Sequence, residues 1–324
     1  MNVVTRMIIV VALVASALSS VALAAPGEFE EWSVAQRVES IPGTDPSFNG
    51  PAIDGCPFVS SNGKSFFMAS NREGGLGGID IWVSMRDNVN DPWGAPVNVG
   101  APLNSAANDF CPTPARGGHL FYFVSNRDGG CGGDDIYVTR LKRDGRSYGW
   151  GTPENLGCDV NSAANEASPM PIRERGSGPV LYFSSNRLGG FATEPADATI
   201  GDSDIYVSRS HGGVFGPAEL VLGVNSASED GHPNISRDGT EMFFFSTQPG
   251  TLGMADIYWS TRSNTSDTWS TPVNLGPNVN SADAETRPSL SWDGTTLYFG
   301  STRPGGEGAS DIYVTTRSTS SWNN

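Results

Sequence analysis

The feature that most constrains the fold of this chain is a five-fold internal repeat. An aromatic run that ends in Ser-Asn-Arg or a variant is followed by a loop and then by an Asp-Ile-Tyr or Asp-Ile-Trp run. The aspartate of the second run recurs at positions 80, 135, 204, 256 and 311, so the spacings are 55, 69, 52 and 55 residues. Self-similarity at about this period is typical of a stacked or circular repeat array.

Each repeat predicts four antiparallel β-strands. A short strand begins at a proline, and a turn, clearest at Asp238-Gly239 and Asp293-Gly294, leads to the aromatic second strand. A Gly-rich loop precedes the Asp-Ile-Tyr strand, and a Trp…Pro element supplies the fourth. Runs such as Leu120–Val124 are almost continuously apolar, which indicates a sheet covered on both faces. A four-stranded meander of this kind is one blade of a β-propeller.

The fold class that follows is all-β: a five-bladed β-propeller of four-stranded antiparallel blades, closed by the N-terminal strand. The segment 32–38 resembles a fourth strand and is expected to pair with residues 311–317 of the last blade. Trp322 also begins such a strand, so the two ends of the chain compete for this place. We expect a single domain over residues 25–324, and the expected repeats are 55–105, 110–162, 167–226, 231–281 and 286–322.

The N-terminus has the pattern of a secretory signal peptide. Arg6 precedes a mostly apolar run from Met7 to Leu18, and Ala22-Leu23-Ala24 fits a cleavage site. Residues 1–24 are therefore expected to be removed. The alternative, an uncleaved anchor helix, is disfavoured by the short apolar run, and no other stretch approaches the ~20 apolar residues of a membrane span. We predict a periplasmic or secreted protein with no transmembrane segment after cleavage.

The net charge of the chain indicates which classes of partner it favours, and its cysteine content indicates disulfide bonds. The net charge of −15 disfavours nucleic acid and anionic lipid and favours cations or basic partners.

An even number of cysteines in an exported chain suggests two disulfides. Cys56 and Cys111 each precede the opening proline of adjacent blades, whereas Cys131 and Cys158 lie in two loops on one face of the same blade. We predict the pairs Cys56–Cys111 and Cys131–Cys158. No zinc site is expected, because paired Cys-x-x-Cys spacing is missing.

The ordered motifs resemble the WD40-like β-propeller repeat of exported bacterial proteins, which is also the repeat of the TolB propeller. The resemblance covers about residues 30–322 and runs through Asp-Gly, Leu-Tyr-Phe, Ser-Asn-Arg, Gly-Gly-x-Gly, Asp-Ile-Tyr, Asn-Leu-Gly and Asn-Ser. Gln248 in place of Arg and Phe215 in place of Trp depart from it. The resemblance implies an extracytoplasmic ring with a non-enzymatic interaction role, but the additional domain of TolB has no counterpart, so its partner is not carried over.

Two repeated sets of residues are candidate sites. One acid per blade lies three residues before each strand-opening proline, beside the expected channel: Asp54, Asp109, Glu166, Asp230 and Glu285. Such a ring could hold a cation such as calcium or a basic peptide; alternatively, each carboxylate binds its own loop or a nearby arginine. The second set consists of the arginine that ends the aromatic run and the aspartate that opens the next strand, which we expect to form ion pairs or caps that fix the Gly-rich loop between them. The members are Arg72/Asp80, Arg127/Asp135, Arg187/Asp204 and Arg303/Asp311. His232, one residue before Pro233, is expected to be a polar neighbour of the channel.

The functional prediction is a non-enzymatic module that binds a protein, peptide or glycan of the cell envelope and needs no cofactor. Strict repetition favours this interpretation, because a catalytic site normally breaks the symmetry. The alternative is a carbohydrate-active enzyme that uses channel carboxylates. Glycoside hydrolysis needs two carboxyl groups about 5–5.5 Å or 6.5–9.5 Å apart.

Overall fold

The computed structural model describes residues 31–144, 147–174, 178–192 and 200–318. The predicted signal peptide and Trp322 lie outside the described residues. So does most of Phe191–Ser203, the insert that lengthens the loop of the third repeat and accounts for its 69-residue spacing. Within the described part of the chain, 22 strands form five antiparallel sheets, and one short 3₁₀ helix lies at Val38–Ser40. The sheets follow one another along the chain, and each is one blade of a five-bladed β-propeller, as predicted.

The strands are numbered in chain order. Blade I contains β2 (Asp54–Val59), β3 (Ser65–Ser70), β4 (Asp80–Met85) and β5 (Val97–Asn98). Blade II contains β6 (Asp109–Pro114), β7 (Leu120–Ser125), β8 (Asp135–Asp144), β9 (Ser147–Trp150) and β10 (Glu154–Asn155). Blade III contains β11 (Glu166–Arg173), β12 (Pro179–Ser185), β13 (Asp204–His211), β14 (Val214–Phe215) and β15 (Glu219–Leu220). Blade IV contains β16 (Asp230–Ile235), β17 (Glu241–Ser246), β18 (Asp256–Thr261) and β19 (Val273–Asn274). Blade V contains β20 (Glu285–Leu290), β21 (Thr296–Ser301), β22 (Asp311–Thr316) and β1 (Gln36–Arg37).

The N-terminal strand closes the ring, as the sequence predicts. In blade V, Gln36 of β1 lies opposite Val314 of β22. The Ser33 N–H donates to the Thr316 carbonyl at 2.8 Å. The guanidinium of Arg317 lies 4.6 Å from the centre of the Trp32 ring, which is buried. The last blade is thus assembled from both ends of the described chain.

A buried asparagine joins each blade to the one before it. The Asn104 side chain accepts the Ile81 N–H at 2.8 Å and donates to the Ile81 carbonyl at 2.9 Å. The same two bonds recur in three further pairs: Asn161–Ile136, Asn225–Ile205 and Asn280–Ile257. Asn49 repeats them with Ile312 at 2.9 and 3.1 Å, across 263 residues of sequence. The junction between blades V and I is therefore built like the other four.

The core lies between the blades. The second strands carry fully buried aromatic side chains, such as Phe66 and Phe121. The Phe66 ring contacts Tyr298 of blade V edge-on at a centroid distance of 5.0 Å, and Phe67 contacts Phe121 of blade II at 5.1 Å. Neighbouring blades thus cover both faces of each sheet, which explains the unbroken apolar runs in the sequence.

We predict that Asn49→Leu will lower the free energy of unfolding by about 2 kcal/mol or more. It leaves the N–H and carbonyl of Ile312 buried without partners, and each such group costs about 1–3 kcal/mol. Chemical denaturation measures the effect, with Asn90→Leu at an exposed position as the control. Equal stability of the two variants would show that this junction does not hold the ring closed.

Candidate functional site

The five repeated acids are fully buried, with no exposed surface. Four of them form an ion pair with the arginine that follows the second strand of the same blade. These pairs are Arg72–Asp54 and Arg127–Asp109, both at 2.6 Å, and Arg187–Glu166 and Arg303–Glu285, both at 3.1 Å. The acids therefore do not line an open channel mouth.

For these arginines and the third-strand aspartates the sequence predicted ion pairs or caps of the Gly-rich loops, and among the described residues the structure has the caps and not the ion pairs. The strand register offers Arg72 either acid, because Ser70 lies opposite Asp54 in the β2–β3 pair and opposite Asp80 in the β3–β4 pair. The Asp80 carboxylate is already occupied by its own loop and by the Asn98 side-chain amide at 3.0 Å, whereas the Arg72 guanidinium also binds the Phe48 carbonyl at 2.8 Å. The Ser70 hydroxyl accepts the Nε–H of Arg72 at 3.0 Å, which directs the guanidinium towards the first strand. The predicted pairs that this replaces are Arg72/Asp80, Arg127/Asp135, Arg187/Asp204 and Arg303/Asp311.

The third-strand aspartates hold the Gly-rich loops. The Asp256 carboxylate accepts the Leu252 N–H at 2.6 Å, and Asp311 accepts the Glu307 N–H at 2.8 Å. A side chain at Gly130 would clash with the Asp135 carboxylate, so the loop needs glycine there. These aspartates act as loop caps.

Hydrogen bonds within each blade occupy the repeated acids further. Glu285 accepts the Ser281 N–H at 2.6 Å and the hydroxyls of Ser281 and Ser301, both at 2.7 Å. Among the residues that the structure describes, no three or more His, Cys, Asp or Glu side chains are placed to hold a metal ion. These contacts give the repeated acids a structural role. We call each Arg–acid ion pair, with its serine hydrogen bonds, a blade lock.

Asp230 in blade IV is the one repeated acid that forms no ion pair with an arginine among the described residues. Gln248 stands where the other four blades have arginine, so Asp230 lacks the ion pair and keeps the serine bond that Asp109, Glu166 and Glu285 also have, here from the Ser226 hydroxyl at 2.7 Å. Burial raises the pKa of Asp230 above its usual value, and hydrogen bonds from Ser246 and Ser226 oppose the rise.

The channel is lined by the residue before each strand-opening proline. All five have left-handed backbone φ angles, between 46° and 55°: Cys56, Cys111, Ser168, His232 and Arg287. They line a cavity of only about 30 Å³ along the channel. That volume holds one or two waters and is far below the ~300–1,000 Å³ of ligand pockets.

Both predicted disulfides are present. Cys56 and Cys111 are joined inside the channel with their Cα atoms 4.8 Å apart. Cys131 and Cys158 are joined with a Cα separation of 5.7 Å. The first bond links the inner strands of blades I and II, and the second links two loops of blade II.

Ser168, His232 and Arg287 break the symmetry of the channel. The Arg287 guanidinium donates to the Thr286 hydroxyl at 3.3 Å, and burial lowers its pKa. Burial, with a smaller contribution from Arg287, holds the pKa of His232 well below 6.5, so this imidazole is neutral at pH 7. Sequence reasoning identified His232 but missed Ser168 and Arg287, although the residue before each repeated proline marks all three.

A larger cavity of about 790 Å³ lies at the opposite ends of the first strands, which span about 20 Å from the repeated acids. We call it the turn-side cavity, because turns between first and second strands build it. Its lining comes from blades II to V: Arg116, Arg173, Glu174, Ser236, Arg237, Asp238, Thr240, Glu241, Ser263, Asn264, Thr265, Leu290, Trp292, Asp293 and Gly294. Sequence reasoning missed it, because no single repeat contains the site.

Two carboxylates of the turn-side cavity are held in ion pairs. Glu174 binds Arg262 at 2.8 Å and Arg209 at 3.2 Å. Glu174 also accepts the Tyr182 hydroxyl at 2.8 Å, and burial, followed by the charge of Glu174, raises the pKa of Tyr182 to about 12. The Glu241 carboxylate accepts hydrogen bonds from both terminal nitrogens of Arg317, at 2.9 and 2.7 Å. These two glutamates form the structural floor of the cavity.

Asp238 and Asp293 are carboxylates of the cavity that cap their own turns. Asp238 accepts the Ser236 hydroxyl at 2.6 Å and the Thr240 N–H at 3.1 Å, and Asp293 makes matching bonds with Ser291 and Thr295. Burial would raise the pKa of each aspartate, but these hydrogen bonds together outweigh it and lower the pKa. Both carboxylates are therefore ionised at neutral pH.

Trp292 gives the cavity an aromatic surface. Its side chain is partly buried against the core cluster that contains Ile235 and Met242, and it lies beside Asp293 in the same turn. An indole held by the core on one side and open to a cavity on the other offers a flat apolar face for a ligand.

The fold is shared with solved structures of very different sequence. An α-L-arabinofuranosidase from Lactobacillus brevis has a TM-score of 0.53 at 11% identity, over 89% of this chain and 95% of that one. A GH62 hydrolase in complex with xylotriose has a TM-score of 0.51 at 12% identity, over 90% and 98% of the two chains. An exo-1,5-α-L-arabinanase from a bovine ruminal metagenomic library has a TM-score of 0.51 at 12% identity, over 82% and 94%.

No protein-family model and no curated protein matches the chain. A putative TolB from Agrobacterium tumefaciens reaches a TM-score of only 0.45, at 16% identity, and supports no argument. No helix among the described residues is long and apolar enough to cross a membrane.

These comparisons correct the prediction of a non-enzymatic module. That prediction rested on the usual role of the TolB-type repeat and on strict repetition. Three of the propellers matched above a TM-score of 0.5 are hydrolases that act on glycans. The symmetry is also broken, both in the channel and around the turn-side cavity, so repetition no longer argues against catalysis.

We predict that Gln248→Arg will stabilise the fold by about 1–3 kcal/mol at neutral pH, because it supplies the missing charge-assisted bond to Asp230. The Gln248 N–H already donates to the Ser246 hydroxyl at 3.1 Å, as the Arg72 N–H does to Ser70 at 3.2 Å, so the backbone suits an arginine. Denaturation as a function of pH tests this, with Gln248→Met as the uncharged control.

The sign of the pH dependence follows from the pKa of Asp230. Burial raises it in the native protein, so ionisation weakens the fold as the pH rises through that value. An arginine would lower this pKa relative to the wild-type protein, so the added stability should be present where Asp230 is ionised and lost as the pH falls and the carboxyl group is protonated. A gain that persists in acid would contradict the account.

Proposed function

We propose that this propeller is a carbohydrate-active enzyme that binds a glycan in the turn-side cavity and cleaves a glycosidic bond there. The observation that carries the proposal is the combination, in one cavity of about 790 Å³, of the Trp292 indole with the ionised carboxylates of Asp238 and Asp293. Aromatic faces stack on sugar rings, and paired carboxyl groups perform glycoside hydrolysis.

Solved structures with the same fold support the proposal. Besides the GH62 hydrolase with xylotriose, an α-L-arabinanase was solved with arabinobiose and an exo-β-1,3-galactanase with β-1,3-galactotriose, both at a TM-score of 0.50. These ligands belong to those proteins. They support a glycan as the ligand class of this fold without identifying the sugar that this chain takes.

The proposed site differs from the one that the sequence suggested. The repeated acids are fully buried and occupied by arginine and serine, so a glycan has no access to them. In the turn-side cavity, Asp238 and Asp293 are the described carboxylates that no arginine binds. Their lowered pKa values in the free protein suit the partner that acts as base or nucleophile, which must be ionised. The other aspartate would protonate the leaving oxygen, which requires its pKa to rise when the bound glycan excludes water and leaves the two carboxyl groups facing one site.

An exported location belongs to the same proposal. The two disulfides are consistent with an oxidising compartment such as the periplasm or the exterior. Glycans of a cell envelope or of the surroundings are available there as substrates. We also propose that the blades are related to the WD40-like repeat of the TolB propeller, as the sequence motifs suggest.

Hydrolysis assays with Asp238→Asn and Asp293→Asn test the function. We expect wild-type protein to release reducing ends from arabino-, xylo- or galacto-oligosaccharides, and at least one of the two variants to lose activity by about 10²-fold or more. Asparagine should keep the turn, since Asn62 makes the same bonds in blade I, to Ser60 at 2.7 Å and Lys64 at 3.0 Å.

Asp128→Asn, in an exposed loop at the other ends of the first strands, is the matched control and should keep full activity. Folding of each variant is checked by thermal denaturation. Unchanged activity in both Asp238→Asn and Asp293→Asn, or no cleavage of any glycan by the wild type, would reject the proposed function.

A further inference from the structure

The turn-side cavity carries a positive charge on an acidic protein. Arginines from three successive blades line it: Arg116 follows β6, Arg173 ends β11 and Arg237 follows β16. All three side chains are exposed. The chain as a whole has a net charge of −15, so this concentration of arginine at one site is opposite in sign to its surroundings.

These three arginines are not engaged by the protein's own carboxylates. Among the described residues, none of the three forms an ion pair, whereas the arginines of the blade locks and of the cavity floor all do. Exposed arginines that need no internal partner are available to a ligand.

The charges of the described lining residues and their ion-pair partners leave an excess of two positive charges. Glu241 and Arg317 cancel, whereas Glu174 is shared by two arginines, Arg209 and Arg262. Asp238 and Asp293 offset two of the three unpaired arginines. A concave site with this sign of charge concentrates anionic ligands.

We infer that the glycan taken by this cavity is anionic and carries uronate carboxylates; this inference rests on the proposed function. The guanidinium of arginine presents a planar pair of N–H donors that matches a carboxylate. The three arginines come from blades II, III and IV, and Trp292 comes from blade V. This arrangement lets a sugar ring stack on the indole while the carboxylates of the chain meet a row of arginines.

A neutral glycan would not need this arrangement. It offers hydroxyl groups, which hydrogen bond to arginine without neutralising its charge. The exposed arginines would then keep their mutual repulsion in the complex. A uronate chain removes this repulsion, and its own negative charges are separated by the lining arginines.

Calorimetric titration with three short oligosaccharides tests the inference: a trigalacturonate, the same trisaccharide with its carboxyl groups reduced to alcohols, and a sulfated neutral trisaccharide. We expect the wild-type protein to bind the trigalacturonate about tenfold more tightly than its reduced form at low ionic strength. The preference should shrink as salt screens the charges.

The variant Arg116→Gln/Arg173→Gln/Arg237→Gln should lose this preference, because its affinity for the trigalacturonate should fall to that for the reduced trisaccharide. The control for the loss of three positive charges is Lys64→Gln/Arg140→Gln/Lys142→Gln, which changes three exposed residues outside the cavity lining and should keep the preference. Loss of the preference in this control as well would overturn the inference, because the effect would then be that of overall charge.

The outcomes separate this inference from the proposed function. Equal binding or cleavage of the trigalacturonate and its reduced form would overturn the anionic preference and leave the glycan site intact. Tighter binding of the sulfated trisaccharide would overturn the assignment to uronate. If none of the three binds and no glycan is cleaved, both the inference and the proposed function fail.

Discussion

The ring depends on a buried asparagine that supplies two hydrogen bonds to the backbone of the preceding blade. Asn104 bonds the N–H and carbonyl of Ile81, and Asn49 does the same for Ile312 across the junction between the chain ends. Without the asparagine, the buried N–H of a third-strand residue such as Ile81 would have no partner, which is costly, whereas its carbonyl would keep the Val99 N–H at 3.2 Å. One residue type at one repeated position therefore fixes the spacing between blades, and the aromatic core fills the space that results.

The repeated residues and the residues that vary between blades have different roles. Each Arg–acid pair, such as Arg127 with Asp109, ties the end of a second strand to the start of the first and also holds the Leu103 carbonyl of the incoming connection at 2.7 Å. These contacts seal one end of the propeller. At the other end the turns differ in sequence, and Arg237, Trp292 and their neighbours leave a cavity open. Chemistry is therefore expected where the repeats diverge.

Much of the fold could be predicted from the sequence, since each blade is a local unit with its own turn and strand signals. The closing strand at Gln36–Arg37 and the pairs Cys56–Cys111 and Cys131–Cys158 followed from counting blade positions. The partner of Arg72 could not be predicted in the same way, because Asp54 and Asp80 both lie opposite Ser70 on neighbouring strands. Nor could the turn-side cavity, since Arg116 and Trp292 are far apart in sequence and meet only when the ring closes.

The central claim is that glycan binds at the turn-side cavity and not at the end sealed by the acids. Hydrogen–deuterium exchange of the intact protein, with and without a saturating uronate oligosaccharide, tests it most directly. The account predicts slower exchange in the turns at residues 236–241 and 290–294, with the Gly-rich loops unchanged. Slower exchange confined to loops such as residues 74–78 and 129–133 would contradict it, because the ligand would then bind beside the repeated acids.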